Sequence, residues 1–403
     1  MNLAPVAVGT YSRLAHFKQT TEALKKNTLA RDTELYVLSD APQAGDEAIV
    51  QAVRDFADSI TGFKKVHVLK RTTNGRVANN RGGMRQLLKE FGRVIFLEDD
   101  MVSAPGFLQY MNDALSKYEH HSKVLSVCGY MPRLKALENN TQTNSDSIAL
   151  PRMLGWGMGI WKQKFEQINA ISIEDYKSVS SSASDIEYVN SNFGKDLINR
   201  FKAEAHGHLD GLDTKGCFLQ LKHNMFSVHP KRSLIKNVGN DGSGVHASVN
   251  NKYDVDLCPK TKNFVLDDFP CVLETIRQQS IEFFAPNEED MSPEIIDNIL
   301  AQIENQNLTD ICLWGTDVLT TLFLAKLPVH IRVSHIVDSW AKPNECFQAY
   351  PVILPQQAYD LGNRIFVIMS FASRHKIAKA AHQLGDGCHV IQYSSKQFHS
   401  IRL

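Results

Sequence analysis

Hydrophobic runs alternate with amphipathic stretches along the first third of the chain. Five apolar runs predict β-strands, at residues 5–10, 34–40, 64–70, 93–99 and 123–131. Stretches with helical spacing lie between them, at residues 14–26, 46–60, 83–91 and 107–120. Because strands that alternate with helices form βαβ units, this pattern predicts a parallel sheet covered by helices.

The middle of the chain lacks this regular pattern. Residues 137–146 are polar and predict a loop, and the serine-rich stretch 176–185 predicts a flexible segment. A glycine-dense stretch follows residue 235, and residues 250–263 have no periodicity and predict a linker.

After about residue 269 the alternation restarts. Four further strands are predicted at residues 310–315, 333–339, 363–369 and 388–393. Helices are predicted at residues 293–305, 317–327 and 375–384. We therefore expect two α/β domains, residues 1–263 and a smaller one at residues 264–403.

Three consecutive carboxylates, Glu98, Asp99 and Asp100, follow the apolar run VIFL. Ligands of open parallel sheets bind beyond the carboxyl ends of the strands, where this cluster is expected. Grouped carboxylates repel one another unless a cation or a polar ligand pairs with them. Two interpretations stay open from the residues alone: a solvated acidic loop before a helix, or a site for a divalent cation and a nucleoside diphosphate.

Composition limits the classes of protein. Lys and Arg together number 44, as do Asp and Glu, so no overall charge favours nucleic acid. The amino terminus has no pattern of a signal peptide, and no apolar run reaches the ~20 residues of a spanning helix. The seven cysteines form no CxxC pair, which favours a reducing compartment. We expect a soluble cytoplasmic protein, with peripheral association at the inner face of the cytoplasmic membrane and oligomerisation left open.

Residues 6–249 resemble GT-A glycosyltransferases. They are similar to N-acetylglucosaminyltransferase I, and more so to bacterial sugar transferases of surface-polysaccharide synthesis. The resemblance lies in five stretches in the family's order: VAVGTYSRLAHFKQTTEAL, VLSDA, RVIFLEDDMVSAPGFLQYMNDAL, GWGMGIWKQKF and SLIKNVGNDGSGVHAS. It implies a GT-A fold with a Rossmann-like mixed sheet.

The resemblance also implies roles for individual residues. Asp100 would coordinate Mn²⁺ or Mg²⁺ at the donor diphosphate, Asp99 would bond the ribose, and Glu98 would contact the donor sugar or the surroundings of the metal. The further residues implied to bind the donor are Thr10, Arg13, Asp40, Trp156 and Gly242, with Asp40 accepting from the base and Arg13 contacting the nucleotide. In the glycine-rich loop 239–246, His246 would be a metal or diphosphate contact.

Inverting transfer of a sugar needs a general base for the acceptor hydroxyl. Asp210 matches the family's acidic position, but Gly211 and Leu212 depart from the residues expected after it, so Asp213 is the alternative. Both aspartates also suit a turn. Of the two tryptophans in GWGMGIW, Trp156 is expected at the acceptor and Trp161 in the core.

The carboxy-terminal domain resembles small Rossmann-like domains. Only Gly315 stands where a dinucleotide fingerprint has three glycines, although Asp338 ends the second strand as a ribose-binding acid would. We therefore expect a structural, assembly or regulatory domain.

The sequence thus predicts a metal-dependent, inverting hexosyl- or N-acetylhexosaminyl-transferase. Its donor would be a nucleotide-diphospho-sugar such as a UDP-sugar, and its acceptor a glycan or lipid-linked glycan of surface polysaccharide or lipopolysaccharide. Two alternatives remain: a nucleotide-sugar-binding protein without transferase activity, and an NAD(P)-binding enzyme that acts through the carboxy-terminal domain.

Overall fold

A computed structural model describes most of the chain. The described residues are 3–138, 144–180, 182–205, 207, 209–239, 252–285, 293–316, 318–339, 341, 344–370, 374–392 and 401–402. By internal contacts the chain divides into two compact units, 1–171 with 210–283, and 172–209 with 284–403.

The described residues of the first unit contain ten strands. They are β1 (Val6–Thr10), β2 (Glu34–Ser39), β3 (Lys65–Lys70), β4 (Arg93–Glu98), β5 (Met101–Ser103), β6 (Val124–Cys128), β7 (Ser147–Leu150), β8 (Met158–Trp161), β9 (Phe226–Pro230) and β10 (Ile235–Asn237). Eight form one mixed sheet in the order β3-β2-β1-β4-β8-β6-β9-β7, and β10 pairs with β5. Strands β1 to β4 pair in parallel, as the sequence predicts, whereas β8 is antiparallel to both β4 and β6.

Helices cover this sheet. They are α1 (Leu14–Lys25), α2 (Glu47–Asp58), α3 (Arg76–Phe91), α4 (Phe107–Lys117), α5 (Lys135–Glu138), α6 (Lys162–Asn169), α10 (Leu212–His223) and α11 (Glu274–Phe284), with a short 3-10 helix at Ala30–Asp32. Helix α3 begins seven residues before its predicted start. Its first turns lie close to β2 because Gly83 has no Cβ, which would lie 2.5 Å from Leu38, and Asn79 donates to the Leu38 carbonyl.

The second unit is a smaller α/β structure. Its helices are α7 (Ile173–Ser180), α8 (Ala183–Asn192), α9 (Leu197–Ala205), α12 (Pro293–Asn305), α13 (Val318–Ala325), α14 (Pro355–Asp360) and α15 (Arg374–Leu384). Its strands are β11 (Asp310–Trp314), β12 (Arg332–Val337), β13 (Cys346–Phe347), β14 (Tyr350–Ile353), β15 (Ile365–Ile368), β16 (His389–Ile391) and β17 (Ile401–Arg402). The sheet order is β13-β14-β12-β11-β15-β16-β17, with a parallel centre and antiparallel edges.

Two predictions for the middle of the chain are wrong. Most of the serine-rich stretch 176–185 lies in α7 and α8, because Tyr176, Ile186 and Val189 are buried with α9 in the second unit. Residues 252–263 are irregular but do not form a free linker. The Cys258 amide donates to the Ser233 carbonyl, and Lys260 pairs with Asp146 at 2.6 Å.

The division by contacts also differs from the predicted boundary at residue 263. Residues 264–283 pack on the first unit, where Val265 accepts a hydrogen bond from the Asp146 amide and Ile276 lies in a buried cluster with Ile148 and Leu150. Residues 172–209 join the second unit, where Lys202 donates to the Thr316 carbonyl at 3.0 Å.

None of the helices among the described residues is long and apolar enough to cross a lipid bilayer.

Candidate active site

The carboxyl ends of three parallel strands meet at one edge of the large sheet. Strand β1 ends at Thr10, Asp40 follows β2, and β4 ends at Glu98. The side chains expected to hold a nucleotide therefore meet there, as the sequence predicts for parallel strands. We call Glu98, Asp99 and Asp100 the carboxylate shelf.

Arg13 holds two members of the carboxylate shelf with one nitrogen. Its Nη2 donates to Asp99 Oδ1 at 2.6 Å and to Asp100 Oδ2 at 2.8 Å. Asp99 also accepts from the Thr10 hydroxyl, and its carbonyl accepts from Thr20. Burial raises the pKa of the Asp99 carboxyl, although the Arg13 charge favours its ionised form.

Asp100 has one oxygen without a hydrogen-bond partner. Its Oδ1 is buried, and only 7% of the residue is exposed. A buried carboxylate oxygen that accepts nothing is costly, and a hard cation is a ligand that would satisfy it. Among the described residues, no group of three or more His, Cys, Asp or Glu side chains is arranged to hold a metal ion. Asp99 and Asp100, with the unpartnered Asp100 Oδ1, nevertheless fit a divalent cation that would also contact the bound donor.

Glu98 lies at the outer end of the carboxylate shelf. Arg76 Nη1 lies 3.8 Å from its Oε1, and the Glu98 residue is partly buried. Burial, together with the negative charge of Asp100, raises the pKa of Glu98 to about 7, and the charge of Asp213 contributes.

Asp40 is buried at the start of the loop after β2. Its carboxylate accepts hydrogen bonds from the amides of Ala41 and Gly75, and Arg71 Nε lies 3.7 Å away. Asp40 therefore ties the end of β2 to the first turn of α3.

The two candidate bases lie three positions apart, just before and within the first turn of α10. Asp210 pairs with Arg81 of α3 at 2.6 Å and with Lys215 of α10 at 2.9 Å. Burial opposes its ionisation, but these two cations hold the pKa of Asp210 below its usual value. Asp213 lies in the first turn of α10, and its Oδ1 accepts from the Thr214 amide.

The two tryptophans differ in burial, and Trp161 lies in the core as the sequence predicts. Trp161 is 5% exposed and donates to the Leu115 carbonyl inside the core. Trp156 is only half-buried and packs edge-on against Tyr130 and Tyr253, with ring centroids 4.7 Å and 5.4 Å away. Gly242 and His246 lie outside the described residues.

Sequence analysis missed the contribution of α3. Besides Arg76 and Arg81, it brings Asn80 against the end of β1, where a Cβ on Gly9 would lie 2.4 Å from Asn80 Oδ1. The run of polar residues in the first turns of α3, unusual for a helix packed on a sheet, was the available signal.

Several solved structures are similar to part of the chain, and three of them are TarS, PcManGT and GalNAc-T7. TarS of S. aureus is 14% identical, with a TM-score of 0.28, over 50% of this chain and 42% of that one. The mannosyltransferase PcManGT of Pyrobaculum calidifontis, solved with GDP-Man and Mn²⁺, is 13% identical, with a TM-score of 0.30, over 55% and 75%. GalNAc-T7, solved with UDP, GalNAc and Mn²⁺, is 13% identical, with a TM-score of 0.33, over 56% and 55%. The alignment thus spans less than half of the TarS chain.

A search of curated proteins found no match. The family model described as glycosyl transferase family 2 matches residues 6–158, which run from β1 through the carboxylate shelf to β8. This segment contains three of the five stretches that carry the resemblance in the sequence, together with the start of the fourth. The resemblance is therefore confirmed for residues 6–158, which are similar to glycosyl transferases of family 2.

Proposed function

We propose that the chain is a metal-dependent, inverting glycosyltransferase that moves a sugar from a nucleotide-diphospho-sugar to a glycan acceptor. The observation that carries this is the unpartnered, buried Asp100 Oδ1, within the segment matched by the family 2 model. Asp100, with His246 as a further ligand, would hold Mn²⁺ or Mg²⁺. A divalent cation bound there would stabilise negative charge on the departing diphosphate.

The donor would bind across the ends of β1, β2 and β4. Arg13 and Thr10 lie where the nucleotide would, and Asp99 would accept from the ribose. Asp40 retains lone pairs beyond those used by Ala41 and Gly75, because a carboxylate offers about four acceptor positions. It would therefore still accept from the base. Glu98 would contact the donor sugar, and Gly242 would approach the diphosphate.

We propose Asp213, rather than Asp210, as the general base. A base must accept a proton in the transition state, and a carboxylate paired with two cations is a weak acceptor. Asp210 has that pairing, with Arg81 and Lys215. The negative charge of Asp213 contributes to the raised pKa of Glu98, which supports a position for Asp213 near the donor sugar. Asp210 would then hold the start of α10 against α3.

The acceptor would meet the half-buried face of Trp156. An aromatic ring of this kind suits a sugar ring, whose C–H groups pack on it. We propose a growing surface polysaccharide or lipopolysaccharide as the acceptor, reached at the cytoplasmic face of a membrane. The second unit would be structural or regulatory, since the Asp338 carboxylate that a ribose would need already accepts from the Thr316 hydroxyl.

Thermal stabilisation tests the donor and the metal together. Individual UDP- and GDP-sugars with Mn²⁺ should raise the unfolding temperature of the full chain, because a ligand that binds only the folded state stabilises it. Asp100→Asn should remove the Mn²⁺-dependent part of that shift. Asp58→Asn, which changes an exposed carboxylate paired with Lys70, is the control and should keep it. An unchanged shift in Asp100→Asn would exclude Asp100 as the metal ligand.

A further inference from the structure

The carboxylate shelf already has a resident cation, the guanidinium of Arg13. Its Nη2 contacts Asp99 at 2.6 Å and Asp100 at 2.8 Å, while 26% of the Arg13 side chain remains exposed. Bonds between a guanidinium and ionised carboxylates are among the strongest hydrogen bonds in proteins. In this arrangement Arg13 neutralises charge on both shelf aspartates, the two residues from which the metal and the ribose would have to take their bonds.

The backbone at Gly239 closes one side of this pair. A Cβ on Gly239 would lie 2.1 Å from Asp100 Oδ2 and 3.1 Å from Arg13 Nη1. The Val238 amide donates to the Asp100 carbonyl, and Asn237 accepts from the Gly239 amide, so the chain is held in this position. Asp100 Oδ2 therefore lies between Arg13 and Gly239, while Oδ1 has no hydrogen-bond partner.

A divalent cation at Asp100 and the Arg13 charge oppose each other. Asp100 Oδ2 accepts from Arg13 Nη2 at 2.8 Å, so a cation held by Oδ1 would be separated from the guanidinium only by that one carboxylate. Like charges at such separation repel strongly in a site largely removed from water. Cation binding therefore weakens the ion pair between Asp100 and Arg13, and the guanidinium is then more stable beside another anion.

We propose that Arg13 is the counter-cation of the metal-free carboxylate shelf and transfers to the donor diphosphate when the metal binds. Nucleotide and metal then bind cooperatively: the diphosphate takes Arg13 from Asp100, and the vacated carboxylate binds the cation more tightly. By linkage, each ligand raises the affinity for the other by the same factor. This inference rests on the proposed metal-dependent donor binding and assigns to Arg13 the coupling between the two ligands.

Calorimetric titration of Mn²⁺ into the full chain, with and without UDP or GDP, tests the proposal. Arg13→Gln should bind Mn²⁺ about 10-fold more tightly than the wild type in the absence of nucleotide, the change expected when one strong competing contact is removed. The nucleotide should then enhance Mn²⁺ affinity much less than it does in the wild type. Arg13→Lys, which keeps the positive charge but replaces the planar guanidinium with a strongly hydrated ammonium, should lie between the two.

Arg93→Gln is the matched control. Arg93 begins β4, at the end of the strand opposite the carboxylate shelf, and its loss changes the net charge by the same amount. It should leave Mn²⁺ affinity and its enhancement by nucleotide unchanged. A second readout is thermal: Mn²⁺ alone should raise the unfolding temperature of Arg13→Gln more than that of the wild type.

The outcomes separate this role from the proposed function. If Arg13→Gln leaves Mn²⁺ affinity unchanged or lowers it, and the nucleotide still enhances that affinity, only the proposed role of Arg13 is overturned. If neither the wild type nor the variants bind Mn²⁺ with any nucleotide, the metal-dependent function itself is contradicted, and the role of Arg13 with it.

Discussion

At the scale of single residues, the sequence predicts where a carboxylate lies in the fold better than it predicts which residues pair with it. Glu98, Asp99 and Asp100 could be predicted as a group because they follow an apolar strand, and the ends of parallel strands meet at one edge. The difference between Asp210 and Asp213 could not. It depends on Arg81, which is about 130 positions away in the sequence and is brought to Asp210 by α3.

The buried side chain of His229 should make the stability of the fold depend on pH. His229 Nδ1 lies 2.9 Å from the Tyr130 carbonyl, and Nε2 lies 2.9 Å from the Arg152 carbonyl. Both ring nitrogens must carry protons to donate to both carbonyls, so the charged form fits this environment. Burial opposes the charge, but Cys128 and the two carbonyls together raise the pKa of His229.

The pH dependence of stability should follow from this raised pKa. A raised folded pKa adds stability that is fully present below about pH 6.5, the unfolded value, and is lost as pH rises through the folded pKa. His229→Gln should cost roughly 1–3 kcal/mol at low pH, the range for a buried donor lost from an acceptor, and less at high pH. Denaturant unfolding across pH measures this. Exposed His223→Gln is the control, and a cost independent of pH would contradict the charged state.

At the scale of elements, the apolar pattern predicts strands and helices well where the residues that cover an element lie in the same part of the chain. Strands β1, β2 and β4 and helix α12 lie close to their predicted positions because each buries a continuous apolar face. Residues 172–209 group by contacts with the second unit rather than with the first, since their apolar positions are buried in a unit that is completed by residues beyond 284. A local pattern does not say which distant segment will cover it.

Truncation tests the boundary of the first unit. Fragment 1–283 keeps Val265 bonded to Asp146, Asp267 bonded to Tyr118, and Ile276 in its buried cluster, whereas fragment 1–263 loses all three. We expect fragment 1–283 to resist urea to a higher concentration than fragment 1–263. In both, amide exchange should be fast in α7 to α9, because their partners in the second unit are missing.

Equal stability of the two fragments would contradict the assignment of residues 264–283 to the first unit. Full exchange protection of α7 to α9 in fragment 1–283 would contradict their assignment to the second.

At the scale of the whole molecule, two α/β units share one chain through an insertion. The chain leaves the first unit at Ile171 and returns at Asp210, three residues before Asp213. The proposed base is therefore joined by a short stretch of backbone to helices that fold with the second unit. The balanced composition, with 44 basic and 44 acidic residues, gave no indication of this arrangement.

The rate and stereochemistry of donor cleavage test the central claim, inverting transfer with Asp213 as the base. Proton NMR with Mn²⁺ and a stabilising nucleotide sugar should record release of a sugar whose anomeric configuration is inverted, before it equilibrates in water. Asp213→Asn should reduce kcat by about 10²–10⁴-fold, the usual contribution of a general base, with little change in donor affinity. The matched variant Asp210→Asn should reduce it much less. Retained configuration, or full activity in Asp213→Asn, would contradict the account.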